Sequence, residues 1–183
     1  MQWWIILIIV VAVLVLYVIA TYNKLVKSRN KVRDQWAQID VQLKRRYDLI
    51  PNLVETVKGY AKHEKETLDA VISARSKAVS ASTPEEAMAA EGDFNRALSR
   101  LLAVTEAYPE LKANENFLKL QDSLQETEEK IAYSRQFYND NAKSYRNLVE
   151  MFPSNIVARL FGFTAMPFFE ASADEKVAPQ VKF

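Results

Sequence analysis

Residues 3–20 read WWIILIIVVAVLVLYVIA, eighteen apolar residues without interruption. At about 1.5 Å rise per residue they make roughly 27 Å of helix, close to the hydrocarbon thickness of a bilayer. A cleaved secretory signal would carry a positive n-region, a shorter apolar run and a small-x-small cleavage site, and none of the three is present. A buried core helix seldom avoids every polar residue for about five turns. Trp3, Trp4, Tyr17 and Tyr22 stand where interfacial aromatics are expected at the two ends of a span. The stretch is therefore predicted to be a membrane anchor. It holds no charge, no Ser, Thr, Asn or Gln and no Gly, so it offers no ion pathway, no intramembrane acid or base and no close-packing GxxxG face.

Just beyond the span the charge changes abruptly. Met1 to Asn23 carries no charged side chain. Lys24 to Arg46 carries eight basic residues (Lys24, Lys27, Arg29, Lys31, Arg33, Lys44, Arg45, Arg46) against Asp34 and Asp40, a net of +6 in a chain whose total is +1. Basic residues beside a span are retained on the cytoplasmic side. The expectation is a bacterial inner-membrane, single-pass protein with a short outer N-terminus and everything after residue 23 in the cytoplasm. Lys24, Lys27, Arg29, Lys31 and Arg33 lie within about 15 Å of the span's end, whereas Lys44 to Arg46 lie some 30 Å out on an upright helix, well beyond a Debye length of roughly 8 Å. Only the first cluster can feel anionic headgroups, either to fix topology or to recruit lipid.

The whole chain is 183 residues, enough for one domain with an ordinary core. Three glycines and six prolines, about 5% together against a usual value of roughly 12%, disfavour turn-rich sandwiches and barrels and favour long helices. The absence of cysteine excludes disulfides, thiolate metal sites and a Cys nucleophile.

Helical periodicity follows the anchor. Leu25, Val32, Trp36, Ile39, Leu43 and Ile50 form a seam that is predicted to end at Asp48-Leu49-Ile50-Pro51-Asn52, because the residue before a proline avoids the helical region. A second helix is capped either by Asp48, with Pro51 in its first turn, or by Asn52 with Glu55 completing a box; its stripe is Leu53, Val54, Val57, Ala61, Leu68, Val71, Ile72 and Val79. Thr83-Pro84-Glu85-Glu86 starts a third helix with Phe94, Leu98, Leu101, Leu102 and Tyr108 facing inward, stopping before Pro109. The fourth, about 111 to 151, has a coiled-coil-like seam: Phe117, Leu120, Leu124, Thr127, Ile131, Ser134, Tyr138, Asn141, Tyr145, Leu148 and Phe152. Short connections between four amphipathic helices predict an all-α fold in which the transmembrane helix continues into an antiparallel four-helix bundle. If the first helix leads away from the bilayer, alternation brings the fourth back to it. The expected organisation is an anchor at 1–22, a bundle at 23–152, a short helix and aromatic segment at 153–169 and a disordered tail at 170–183.

Candidate chemistry is sparse. The single histidine, His63, has Tyr60 rather than Glu three residues before it, so the Glu-x-x-His repeat of di-iron bundles is absent. No G-x-S-x-G elbow exists to give a His63 triad a nucleophile, and Gly59, Gly92 and Gly162 are too far apart for a dinucleotide fingerprint or a phosphate loop. Glu85-Glu86 and the Glu126, Glu128, Glu129 run read as capping and solvated helix faces, and Asp40, Arg45, Arg46 and Asp48 as capping and local pairing at a helix end. No catalytic, cofactor-binding or metal-ligating residue is assigned, no small-molecule substrate is evident, and an acidic remainder argues against nucleic acid. The lipid bilayer is the expected partner, with a second copy or a membrane protein as a further one.

The end of the chain is unusually aromatic. Ser154 to Phe163 reads as a short capped helix ending at a glycine, and Met166, Phe168 and Phe169 follow. Phe161, Phe163, Phe168 and Phe169 form a candidate interaction surface, which could cover the bottom of the bundle, enter the bilayer interface or dock onto another protein.

These residues closely resemble the LemA family of bacterial membrane proteins. The resemblance rests on Tyr22-Asn23, Arg29-Asn30, Trp36, Ile39-Asp40-Val41-Gln42-Leu43-Lys44-Arg45-Arg46, Asp48-Leu49-Ile50-Pro51-Asn52-Leu53-Val54 and Val57-Lys58-Gly59-Tyr60. It extends through Tyr108-Pro109-Glu110-Leu111-Lys112-Ala113-Asn114, Phe117, Leu120-Gln121, Thr127-Glu128, Arg135, Tyr138-Asn139 and Phe152-Pro153, covering about residues 1 to 165. The D-x-Q-L-K-R-R-x-D-L-I-P block is highly specific. The resemblance implies one N-terminal span and a cytoplasmic helical bundle, and it implies no reaction, cofactor or catalytic residue. The expected function is a membrane-anchored helical-bundle scaffold or adaptor, self-assembling through its soluble part; the alternative is lipid binding or membrane organisation through Lys24 to Arg33 and Phe161 to Phe169, with an enzyme third.

Overall fold

A computed structural model describes residues 2–169. The expected disordered tail at 170–183 lies outside the described residues. The described chain is all-helical: α1 (Trp3–Tyr60), α2 (Lys65–Ser80), α3 (Pro84–Thr105), α4 (Pro109–Lys112), α5 (Glu115–Glu150) and α6 (Ser154–Leu160).

The first helix does not stop at Pro51, which corrects the expected boundary there. Proline lacks the N–H that would bond the carbonyl four residues back, and that carbonyl belongs to Tyr47. Arg75 of α2 supplies the missing donor, its Nε lying 2.7 Å from the Tyr47 oxygen, while its Nη2 sits 3.9 Å from Asp48. The helix breaks instead at Ala61–Glu64, where the six polar residues Lys62 to Thr67 begin. In α2, Leu68, Val71, Ala74 and Ala78 are buried, and Ile72 and Val79, expected inside, are exposed. α2 packs along α3.

Other helix ends follow their local chemistry. Thr83 accepts from the Glu86 backbone N–H at 3.2 Å and Glu86 accepts from the Thr83 N–H at 3.3 Å, completing a capping box with Pro84 in the first turn. Asn114 Oδ1 accepts from the backbone N–H groups of Asn116 and Phe117 at 2.9 and 3.0 Å, capping α5. Along α5, Phe117, Leu124, Ile131, Tyr138 and Tyr145 repeat every seven residues and all are buried. Phe152, placed at the end of that seam by the sequence, is exposed because α5 ends at Glu150 and the chain turns.

The chain forms two compact units, residues 1–37 with 136–168, and residues 38–135 with Phe169. In the first unit Leu25, Val32, Tyr138, Ala142 and Tyr145 are buried, and Trp36 meets Tyr138 edge-on at 5.9 Å. In the second, Ile39, Leu43, Ile50, Leu53, Val57, Phe94, Leu101, Leu111 and Phe117 make the core.

Of the described helices, α1 alone is long and apolar enough to cross a membrane by length and composition. Its residues 3–20 are exposed apart from the half-buried Val18. Each large apolar side chain left in water forgoes about 1.5–3 kcal/mol, so this segment alone forgoes tens of kcal/mol, more than the roughly 5–15 kcal/mol that stabilises a whole domain.

Candidate functional site

Two places bring chemistry-bearing residues together, one in each unit. In the first unit the end of the apolar stretch meets the C-terminal aromatic segment. Tyr22 packs edge-on against Phe161 at 4.9 Å and Phe163 at 5.6 Å, and the Arg29 guanidinium lies over the Phe163 ring at 5.0 Å. Residues that sequence reading had assigned to two separate surfaces thus share one. Lys24, Lys27, Lys31 and Arg33 are exposed, the three lysines on the side of α1 away from Tyr22, whereas Arg29 is half-buried beneath Phe163. At the far end of the apolar stretch Trp3 and Trp4 are in ring contact, with centroids 4.0 Å apart, and Tyr17 is exposed on the same helix. Among the four C-terminal phenylalanines, Phe161 is exposed, Phe163 is buried and Phe168 and Phe169 are half-buried. Phe168 lies beside Arg146 at 5.5 Å. Burial against the Arg29 and Arg33 charges raises the Tyr145 pKa, the desolvation outweighing the two cations.

The second unit contains a buried ionic cluster that sequence reading missed. Arg46 has no exposed surface, and its guanidinium donates to both Glu91 on α3 and Glu128 on α5. Tyr47 donates its hydroxyl to Glu91 Oε1, and Arg135 Nη2 reaches Glu91 Oε2 at 2.7 Å. The Arg46 guanidinium also faces the Phe94 ring at 4.8 Å, and Arg135 faces Phe169 at 4.9 Å. Burial works against the charged form of Arg46, but the Glu91 and Glu128 carboxylates together outweigh it and hold its pKa above the ordinary arginine value. Burial, reinforced by the Glu91 carboxylate, raises the Tyr47 phenol well above its ordinary value. Two cations answer two carboxylates, and both Glu91 oxygens are occupied by donors. The arrangement clamps α1, α3 and α5 to one another.

Arg46 is therefore not a helix-end pairing residue, and Glu128 is not on a purely solvated face. No local signal marks Glu91, since its partners are 44 and 45 residues away in sequence. Beside Glu128 a groove of about 490 Å³ of mixed character opens between α3 and α5, with Asn95, Ser99, Gln121 and Gln125 alongside Leu98, Leu102 and Leu124 in its walls. His63 lies exposed in the turn between α1 and α2. Among the described residues no group of three His, Asp or Glu side chains is placed to hold a metal ion.

Comparison with known proteins adds kinship. The model of the LemA family matches residues 35–183. Magnetosome protein MamQ 2 of Paramagnetospirillum magneticum is 27% identical over 175 residues, covering 81% of this chain and 64% of that relative. Magnetosome protein MamQ of Magnetospirillum gryphiswaldense is 24% identical over 189 residues, covering 87% of this chain and 70% of its own. Protein LemA of Metamycoplasma hominis is 27% identical over 159 residues, covering 85% of this chain and 71% of its own. The chain thus spans a little under two thirds of the length of the first of these relatives.

Proposed function

The chain belongs to the LemA family, and from that premise we propose that it is a membrane-anchored helical scaffold or adaptor, without enzymatic activity of its own. One observation carries the reading: α1 runs unbroken from Trp3 to Tyr60, so an apolar segment exposed to its surroundings and a buried, ion-paired helical surface are parts of one rod. The buried cluster supports the same reading, because each oxygen of Glu91 is held by donors and the site is built for rigidity.

In this reading the anchor is residues 1–22, and residues 23–152 form an antiparallel four-helix bundle made by α1 beyond the bilayer, α2, α3 and α5, with a short helix and aromatic segment at 153–169. The bundle is cytoplasmic and the anchor lies in the bacterial inner membrane, supported by the +6 charge just after the span. Protease added to intact cells should leave the bundle intact; digestion from outside would overturn the orientation. The scaffold self-assembles or holds a membrane-protein partner. In mild detergent the detergent-corrected mass of the purified full chain is expected to exceed that of one chain; a single-chain mass at every workable concentration would defeat self-assembly.

Lipid binding or membrane organisation is a second reading, and the packing of Phe161 and Phe163 on Tyr22 favours it.

A further inference from the structure

We infer that the outer face of α6 and its flanks, formed by Met151, Phe152, Ile156, Leu160 and Phe161, rests in the headgroup layer of the same bilayer that residues 3–20 cross. The inference rests on the anchor reading and gives the chain a second, interfacial membrane contact.

The level of α6 follows from contacts within the first unit. Trp36 meets Tyr138, and seven residues later Tyr145 lies in the field of Arg29 and Arg33, so the chain moves back along α1 as α5 advances. At the same rise, the end of α5 at Glu150 comes to about the level of Asn23 to Val26, and Met151 and α6 follow it. At the other end of α6, Phe161 touches Tyr22 directly. Both ends of the short helix therefore lie near the level of Tyr22, two residues and about 3 Å beyond Ala20, the last residue of the apolar stretch. An interfacial helix sits with its apolar face about 5–10 Å into the headgroup boundary, which is within reach of that level.

The surface chemistry fits lipid. Val157 and Ala158 are buried against the unit, yet the opposite side of α6 is also apolar: Leu160 is 73% exposed and Phe152 78%, with Met151, Ile156 and Phe161 beside them. A helix facing water would carry polar residues there. No acidic residue occurs from Met151 to Phe169, the exposed Glu150 just before them is paired with Arg146, and the exposed charge of α6 itself is the cation Arg159. An anionic headgroup layer answers both the apolar face and the Arg159 cation beside it, and the level of α6 at the end of the span is where such a layer lies.

The chain contains no cysteine, so single cysteines can be labelled cleanly. The full-length variants I156C and L160C, with L14C in the span and S144C on the exposed side of α5 as references, would carry an environment-sensitive fluorophore. They would be reconstituted in vesicles of phosphatidylethanolamine and phosphatidylglycerol containing spin-labelled lipid. The expected result is deep-lipid quenching of L14C, quenching of I156C and L160C by lipid labelled near the headgroup, and protection of both from aqueous iodide relative to S144C. If L14C is quenched by lipid while I156C and L160C behave like S144C, the interfacial contact is wrong and the anchor stands. Protection from iodide without lipid quenching means that protein covers the face, and this too overturns the inference. Loss of lipid quenching at L14C itself sinks the anchor reading and the inference with it.

Discussion

Arg46 keeps its charge with none of its surface in water, which is tolerable only because two carboxylates and the Phe94 face surround it. Removing one member of a buried ion pair leaves the other uncompensated, typically at about 3–5 kcal/mol, whereas replacing the members together by apolar groups is often close to neutral. Arg46→Met is therefore expected to lower the unfolding free energy of the chain in micelles, read from urea titration, by an amount in that range, and the combined change Arg46→Met, Glu91→Leu, Tyr47→Phe, Arg135→Met to recover much of it. A midpoint for Arg46→Met equal to that of the parent would contradict the clamp. Sequence reading placed Arg46 at a helix end because its partners are far away in the chain; the mark it left was the seven-residue gap between Leu43 and Ile50 in the apolar seam, which positions 46 and 47 fill. Glu86 behaves differently. Hydrogen bonds from the Ser82 backbone and side chain and from the Thr83 backbone lower its pKa. A depressed carboxylate stabilises above its unfolded value and loses that contribution as pH falls through the folded value. The stability difference between the parent and Glu86→Ala should thus be full at neutral pH and fade in acid, as followed by chemical unfolding at a series of pH values.

Among the helices, α1 is the element that departs most from expectation. Proline inside a helix ordinarily breaks it, and Pro51 does not, because the carbonyl it orphans is bonded by Arg75 from another helix. Arg75→Met should lower stability by about 1–2 kcal/mol, the usual cost of an unsatisfied backbone group. Pro51→Ala restores the N–H that Tyr47 lacks, so the cost of Arg75→Met should shrink in a Pro51→Ala background. A double-mutant cycle with no coupling would show that the Arg75 contact is incidental. A donor 28 residues distant is invisible to local reading, which is why the expected boundary fell at Pro51. The actual break was not read from the sequence, because Ala61 and Leu68 are seven residues apart and keep one stripe in phase across the polar run Lys62 to Thr67. Where a signal is local and periodic, as in the Thr83 box or the seven-residue repeat from Phe117 to Tyr145, sequence and structure agree.

For the molecule as a whole, solvent decides the meaning of residues 3–20. The same segment that would forgo tens of kcal/mol in water is satisfied in hydrocarbon, where every backbone group is bonded within the helix. Its length, composition and aromatic ends were readable from the sequence alone, since they depend on no other residue. The meeting of Tyr22 with Phe161 was readable only as an expectation that the chain returns to the bilayer, because it depends on how far α5 reaches before it turns. The most direct test is extraction of cell membranes containing the full-length chain with alkaline carbonate, which strips peripheral proteins and leaves spanning ones. The account predicts that the chain, with its N-terminal residues intact by mass, stays in the membrane pellet, and that Leu7→Arg with Leu14→Arg releases it. Recovery of the intact parent chain in the supernatant would contradict the account.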